Sequence, residues 1–321
     1  MRREGSALQG LGVVFLKELN DHLTSARMLV LQLLVLAVPL VSLYAAIDQL
    51  KQSTAEDPFL YLRILTVAGD QLPSFVSFLG FLIPLMSIGL AFDSINGEHN
   101  RRTLSRILAQ PIYRDALLFG KFLAGLATLT ISLVALWLLV IGLGLFVLGI
   151  PPGAEEIARS LVFLVVSIFY AGVWLALALL FSIVFRSPAT AALVSLGLWL
   201  FLAMMWPILA QAVATVIAPP DPRYAAIGLP TPETFEWQQI LARLSPGVLY
   251  GEVMQVVLNP AVRGLGLVGQ LFLPQGAVPN SPVPFEESMM IAWPQMVGLI
   301  AGTIVLFVIG YIVFQRQEVR A

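Results

Sequence analysis

Residues 92–121 read FDSINGEHNRRTLSRILAQPIYRDALLFGK, with long apolar runs on either side. Between Asp93 and Lys121 the stretch holds five basic residues (Arg101, Arg102, Arg106, Arg114, Lys121) against three acidic ones. In a chain otherwise written for an apolar solvent, such a segment stands outside lipid and is the place to meet a soluble partner. Glu98 precedes Arg101 and Arg102, and Leu104, Ile107 and Leu108 then share one helical face. Pro111 ends that helix, since it has no amide hydrogen and its ring collides with the preceding turn. Ile112-Tyr113-Arg114 makes a turn, and Asp115 is placed to cap a following helix that runs through Gly120 and Lys121. The segment reads as a short helix parallel to a membrane, with charges presented to a partner. The plainer alternative is that its basic residues only fix orientation and bind anionic headgroups. Spacing does not separate the two.

Working outward, 58% of the 321 residues are hydrophobic and 12% charged, with a mean hydropathy of +0.88. Soluble chains carry about 25% charged residues. This chain has too little polar surface to cover itself, so the bilayer must be its solvent. A formal charge of −1 supplies no basic field for phosphates and excludes nucleic acid as a partner. The absence of cysteine excludes disulfides and thiolate metal sites, and leaves the redox compartment open. Arg2 and Arg3 open the chain, but Lys17 and Glu18 interrupt the apolar run behind them, so no cleaved signal peptide is expected.

A membrane-crossing helix needs about 20 mostly apolar residues. Six runs qualify and none contains Asp, Glu, Lys, Arg or His: 28–47, 73–92, 122–149, 161–185, 189–218 and 291–314. Pro39, Pro84 and Pro207 predict kinks inside them, and Arg186-Ser187-Pro188 a tight turn between the fourth and fifth. Twelve Lys/Arg fall on the side of the termini, the 93–121 segment and Arg186, against six on the other. The excess places both termini in the cytoplasm of a multi-pass protein of the cell membrane. Residues 8–24 set Leu8, Leu11, Phe15, Leu19 and Leu23 at helical spacing opposite Lys17, Asn20, Asp21 and Thr24. They read as an amphipathic helix on the inner interface, or else as an extension of the first span. Residues 219–290 form a long outer loop, rich in Pro and Gly. Its stretches Thr234–Leu244 and Pro246–Leu258 look helical and are expected to cap the outer mouth. The expected fold is an all-α integral membrane protein, residues 1–321 forming one transmembrane domain of six spans.

The pattern Glu98-x-x-Arg101-x-Thr103-Leu104-x-x-x-Leu108-x-x-Pro111-x-x-Arg114, closing on Gly120-Lys121, resembles the signature of ATP-binding-cassette type-2 permeases. Phe15-Leu16-Lys17-Glu18-Leu19 resembles that family's N-terminal helix, and Tyr311–Glu318 its C-terminal end. Leu244-Ser245-Pro246 sits where many members have the same triplet. The flavour is that of the subgroup containing the permease for nitrous-oxide-reductase maturation. Arg102 stands where the family usually has Gly. The resemblance implies that the helix around Glu98–Leu108 is a coupling helix seated in a separate ATPase subunit. Glu98 and Arg101 would then make polar contacts or ion pairs there, with Leu104 and Leu108 packing back on the bundle and Arg102, Thr103, Pro111, Arg114 and Lys121 completing the coupling set. Residues 8–24, with Lys17 and Glu18, would complete the docking surface. It also implies a second permease copy or homologue, and ATP and Mg on the partner rather than in this chain.

The residues themselves supply no phosphate-binding loop, because Phe122 follows Gly120-Lys121 and the earlier Gly is missing. His22 and His99 are the only histidines, far apart and without zinc spacing. Met204, Met205, Met289 and Met290 suggest soft-metal ligation only weakly against packing. Gly298-x-x-x-Gly302 permits close helix approach but is common by chance. An ion-coupled secondary transporter is the alternative. It would want ionisable groups near the midplane, and the six runs hold no Asp, Glu, Lys, Arg or His, with amides such as Gln211 and Gln295 among their few strongly polar side chains. An intramembrane enzyme lacks the histidines and carboxylates it would need.

Overall fold

The computed structural model describes residues 10–52, 59–68, 73–100, 113–226, 231–265 and 282–317. Among these there are helices and no strands. The elements are α1 (Leu11–Thr24), α2 (Ala26–Gln52), α3 (Leu60–Thr66), α4 (Phe75–Ala91), α5 (Asn96–Asn100), α6 (Arg114–Leu148), α7 (Ala154–Val184) and α8 (Pro188–Leu200). They continue with a π-helical turn (Phe201–Met205), α9 (Trp206–Ile217), α10 (Pro222–Ala225), α11 (Pro232–Ala242), α12 (Pro246–Leu258) and α13 (Phe285–Arg316).

Among the described residues five stretches are long and apolar enough to cross a bilayer: Phe75–Asn100, Arg114–Val147, Ala154–Val184, Pro188–Ile217 and Phe285–Arg316. The expectation of six is therefore met at five of its positions. The remaining run, 28–47, falls in α2, where Met28–Ala37 is apolar and several side chains beyond it lie outside the described residues.

α7 is the central helix, buried along most of its length and packed against α4, α6, α12 and α13. Its start corrects the sequence boundary. The charge-free run begins at 161, yet the helix begins at Ala154 and carries Glu155, Glu156 and Arg159 within it. Arg159 is fully buried. It is tolerated because its guanidinium is satisfied on every side. Nε donates to Glu155 Oε1 at 2.9 Å, Nη1 to the Val257 carbonyl at 2.9 Å and Ser288 Oγ at 3.1 Å, and Nη2 to the Val283 carbonyl at 2.6 Å. Nη2 also lies 2.8 Å from Glu155 Oε1. A buried arginine with these partners clamps α12 and the start of α13 to α7. Glu156 does the same for α3, its two oxygens accepting from the Tyr61 and Gly153 amides at 2.8 Å each.

The helices of the 219–290 loop do not lie across the mouth. α11 begins where Thr234 Oγ1 donates to the Ala218 carbonyl (2.7 Å) and ends where Leu241 accepts from Trp206 Nε1 (2.8 Å). Trp206 is twelve residues below Ala218 along α9, or roughly 18 Å at 1.5 Å per residue. After the turn at Ser245, α12 climbs back to Val257 beside Arg159. The pair is a re-entrant hairpin. Its apolar α12 sequence (PGVLYGEVMQVVL) demands burial, and at the turn Ser245 is buried while Leu244 faces outward. Gly298 of α13 admits this hairpin, since a Cβ there would sit 3.1 Å from Leu249. The fifth predicted span is interrupted by the π turn just before Pro207, which has no amide hydrogen to continue regular bonding.

Replacing Arg159 by Met should leave the Val257 and Val283 carbonyls without donors, at about 1–3 kcal/mol for each. Chemical unfolding in mixed micelles measures this, and an unfolding midpoint equal to that of the native chain would contradict the clamp.

Candidate functional site

At the end of the bundle opposite Arg159, the predicted charged residues converge on Lys121. α6 begins at Arg114, so Lys121 lies seven residues, roughly 10 Å, inside the helix. Its side chain is 4% exposed. The ammonium donates to Glu18 Oε1 of α1 at 3.0 Å and to Glu98 Oε1 of α5 at 2.8 Å. One cation thus holds two carboxylates from elements 80 residues apart in sequence. Lys17, half exposed, adds a bond to the same Glu18 oxygen at 2.8 Å and pairs with Asp21 at 3.2 Å.

α1 reaches this position by packing along α6. Leu11, Val14, Phe15, Glu18, Leu19 and His22 form its covered stripe at the i, i+3, i+4, i+7 spacing of a helix face. The expected apolar face holds at Leu11, Phe15 and Leu19 but not at Leu23, which is exposed, and Glu18 lies on the same face. Val13 and Leu16 instead look outward, so α1 is apolar on two sides. The approach is close enough to require glycine at 120, where a Cβ would come within 2.7 Å of Val14 Cγ1.

The connection after α4 is fastened to the α7–α8 turn. The Ile95 and Asn96 amides both donate to Ser182 Oγ, at 3.0 and 3.3 Å. Asn96 Nδ2 donates to the Phe185 carbonyl and Asn100 Nδ2 to the Arg186 carbonyl, each at 3.2 Å. Arg114 closes the ring from the other side. Its Nη1 donates to the Gln315 and Gln317 carbonyls at the end of α13 (3.4 and 3.1 Å), with the guanidinium 5.7 Å from the Phe314 ring centre. A cation at a helix C-terminus is favourable against the helix dipole. Gln317 Nε2 returns a bond to the Ile183 carbonyl at 2.8 Å. Asp115 is not the cap predicted for α6. The N-cap is Tyr113, and Asp115 in the first turn accepts from Gln315 Nε2. An acidic residue at that turn serves the dipole without capping.

Of the residues picked out in the sequence, Lys17, Glu18, Glu98, Arg114 and Lys121 gather at this end, the first three with Lys121 in one cluster. Arg101, Arg102, Thr103, Leu104, Leu108 and Pro111 lie outside the described residues, between Asn100 and Tyr113. Asn96 and Ser182 were missed, because a lone Asn and a lone Ser next to apolar runs carry no signal of pairing. Among the described residues no group of three or more His, Cys, Asp or Glu could hold a metal ion. Met204 and Met205 face outward from the π turn.

Burial alone would push the Glu18 carboxyl up. The Lys121 ammonium beside it, with the hydrogen bonds from Lys17 and Lys121, outweighs burial and holds it below its ordinary value of 4.5. A lowered folded value stabilises the fold above the ordinary value, and that contribution is lost only as pH falls through the folded one.

A family model described as ABC-2 family transporter protein matches residues 13–319, almost the whole chain. No protein of curated function matches it.

Lys121→Met should strand two carboxylates in a buried place and destabilise the chain by about 3–5 kcal/mol, with Glu18→Gln in the same chain restoring part of the loss. Thermal unfolding in detergent reads both. Protection of the α1 amides, taken against the intrinsic exchange rate at each pH, should hold steady from neutral pH down to 4.5 and fall only below it. Release of α1 already at mildly acidic pH would contradict the pairing.

Proposed function

The chain belongs to the ABC-2 family of transporter membrane proteins, and from that membership we propose that it is the permease subunit of an ATP-binding-cassette exporter. Two copies, or this chain and a homologue, form the pathway. ATP and Mg bind a separate cytoplasmic ATPase, and the permease carries no catalytic residue. In this reading α2 supplies a sixth crossing, both termini are cytoplasmic, and the segment between Asn100 and Tyr113 is the coupling helix seated in the ATPase. Residues Arg101, Arg102, Thr103, Leu104, Leu108 and Pro111 belong to it. Export, and kinship with the nitrous-oxide-reductase maturation subgroup, are inferred from the motif resemblance, with no substrate attached.

The observation that carries the reading is the Lys121 cluster. Exposed ion pairs are worth only about 0–1 kcal/mol each, too little to pass mechanical work. A buried cation bonded to α1 and to α5 makes the interfacial helix, the root of the coupling segment and the long helix α6 one rigid junction. Through Ser182 and Arg114 the junction also grips α7 and α13. A push on the coupling helix is therefore delivered to three long helices together. Glu98, bound within its own chain, acts as a link in this junction. The alternative of an ion-coupled secondary transporter has less support, because it gives the junction and the family's permease signature no task.

Co-purification with its ATP-binding-cassette ATPase, sought first in the neighbouring reading frames, followed by ATP hydrolysis, tests the proposal. Glu98→Ala should leave association largely intact and lower permease-dependent turnover, whereas Arg101→Ala should weaken association itself. Unchanged association and turnover in both variants would remove the assigned role.

A further inference from the structure

At the Arg159 end, a cavity of about 560 Å³ opens between α4, α7, the π turn and the re-entrant α12. Its size falls within the roughly 300–1,000 Å³ typical of small-molecule sites. Two features set its chemistry. The deeper walls are aromatic: Tyr170 and Tyr250 stack at 4.5 Å with 14° between planes, and Phe81 meets Trp199 edge-on at 4.8 Å. Both tyrosine hydroxyls are spent on the scaffold, Tyr170 donating to the Gly80 carbonyl at 3.0 Å and Tyr250 paired with Ser167 at 3.1 Å. They therefore offer ring surface rather than donors. Nearer the end of the bundle the lining turns polar but stays neutral, with Ser74, Ser77, Gln255 and Asn259.

Among the described residues no charged side chain lines the cavity. An ion entering it would lose its water with no counter-charge to replace it, a cost of several kcal/mol. The π turn contributes Ala203 to the wall, and such turns recur at functional sites because they widen one turn of a helix.

We propose that this cavity binds an uncharged, ring-bearing amphiphile, its apolar body among Phe81, Trp199 and the stacked tyrosines and its hydroxyl or carbonyl head toward Gln255 and Asn259. The proposal rests on the permease reading and assigns a cargo class to it. The site lies within one chain, walled by the re-entrant hairpin, so movement of α12 against α4 would open or close it.

The test uses the full chain in phosphatidylcholine nanodiscs, without nucleotide, and 4-(hydroxymethyl)benzophenone as a neutral photoreactive probe. Irradiation followed by peptide mapping should give saturable adducts on the segments holding Phe81, Trp199 and Met254. Gly251→Phe, at a position where a Cβ meets nothing within 4 Å, fills the cavity from α12 and should cut labelling about tenfold, equivalent to one decade in affinity. Ala203→Phe fills it from the opposite wall and should do the same. Protection by α-tocopherol in the disc identifies a bilayer source, and protection by benzyl alcohol an aqueous one. Non-saturable adducts spread over outward residues such as Leu193 and Met204, unchanged by either substitution, would overturn the site. Because labelling needs no ATPase, a failed permease reading would show as lost ATPase association while these adducts persist.

Discussion

A lysine ammonium buried between two carboxylates fixes the geometry of one whole end of this protein. Taking three charges out of water is costly, and the cost is met only when the partners stay where they are. Lys121 therefore does not permit α1 or α5 to wander from α6. A surface-seeking interfacial helix and a short connecting helix become parts of the long helix they touch. The glycine at 120 makes the same demand sterically, since Val14 occupies the space a side chain would need. Charge and shape specify one arrangement.

The two ends of the bundle solve the same problem with different residues. Arg159 gathers carbonyls from α12 and from the lead-in to α13, and Lys121 gathers carboxylates from α1 and α5. Between them α7 runs with an almost entirely apolar surface, so the helices are pinned at both ends and packed by side-chain shape in the middle. Arginine suits the first task because its five donors can be shared among several fixed acceptors, and lysine the second because a compact charge can sit between two anions. The re-entrant hairpin enters at the Arg159 end and leaves neutral, aromatic-walled space beside it. An end pinned by polar bonds around an uncharged cavity is one that can rearrange without exposing a charge to lipid.

Much of this was legible in the residues. Charge-free runs located the long helices because lipid forbids unpaired charge, and Ser-Pro pairs marked the starts of α8 and α12. What the runs could not show is where a helix continues through charge. Arg159 lies outside the charge-free run yet inside its helix, and Lys121, expected within a helix, meets partners from segments remote in sequence that no local pattern names. The 219–290 loop read as a surface cap for a similar reason. Periodicity finds α11 and α12 but does not say that they turn inward, which follows only from Trp206 meeting Leu241 and Tyr250 meeting Ser167. Glu18 was visible as part of a motif, though its place on the packed face of α1 needed Lys121 opposite it.

The central claim is that the Lys121 cluster carries motion from the ATPase to the spanning helices. Exchanging the charges tests it most directly, with ATP turnover of the assembled permease–ATPase complex as the readout. The account predicts that Lys121→Glu and Glu98→Lys each abolish permease-dependent turnover and that the two together recover a substantial part of it. Single variants that turn over like the native complex, or a double variant as inactive as either single one, would contradict it.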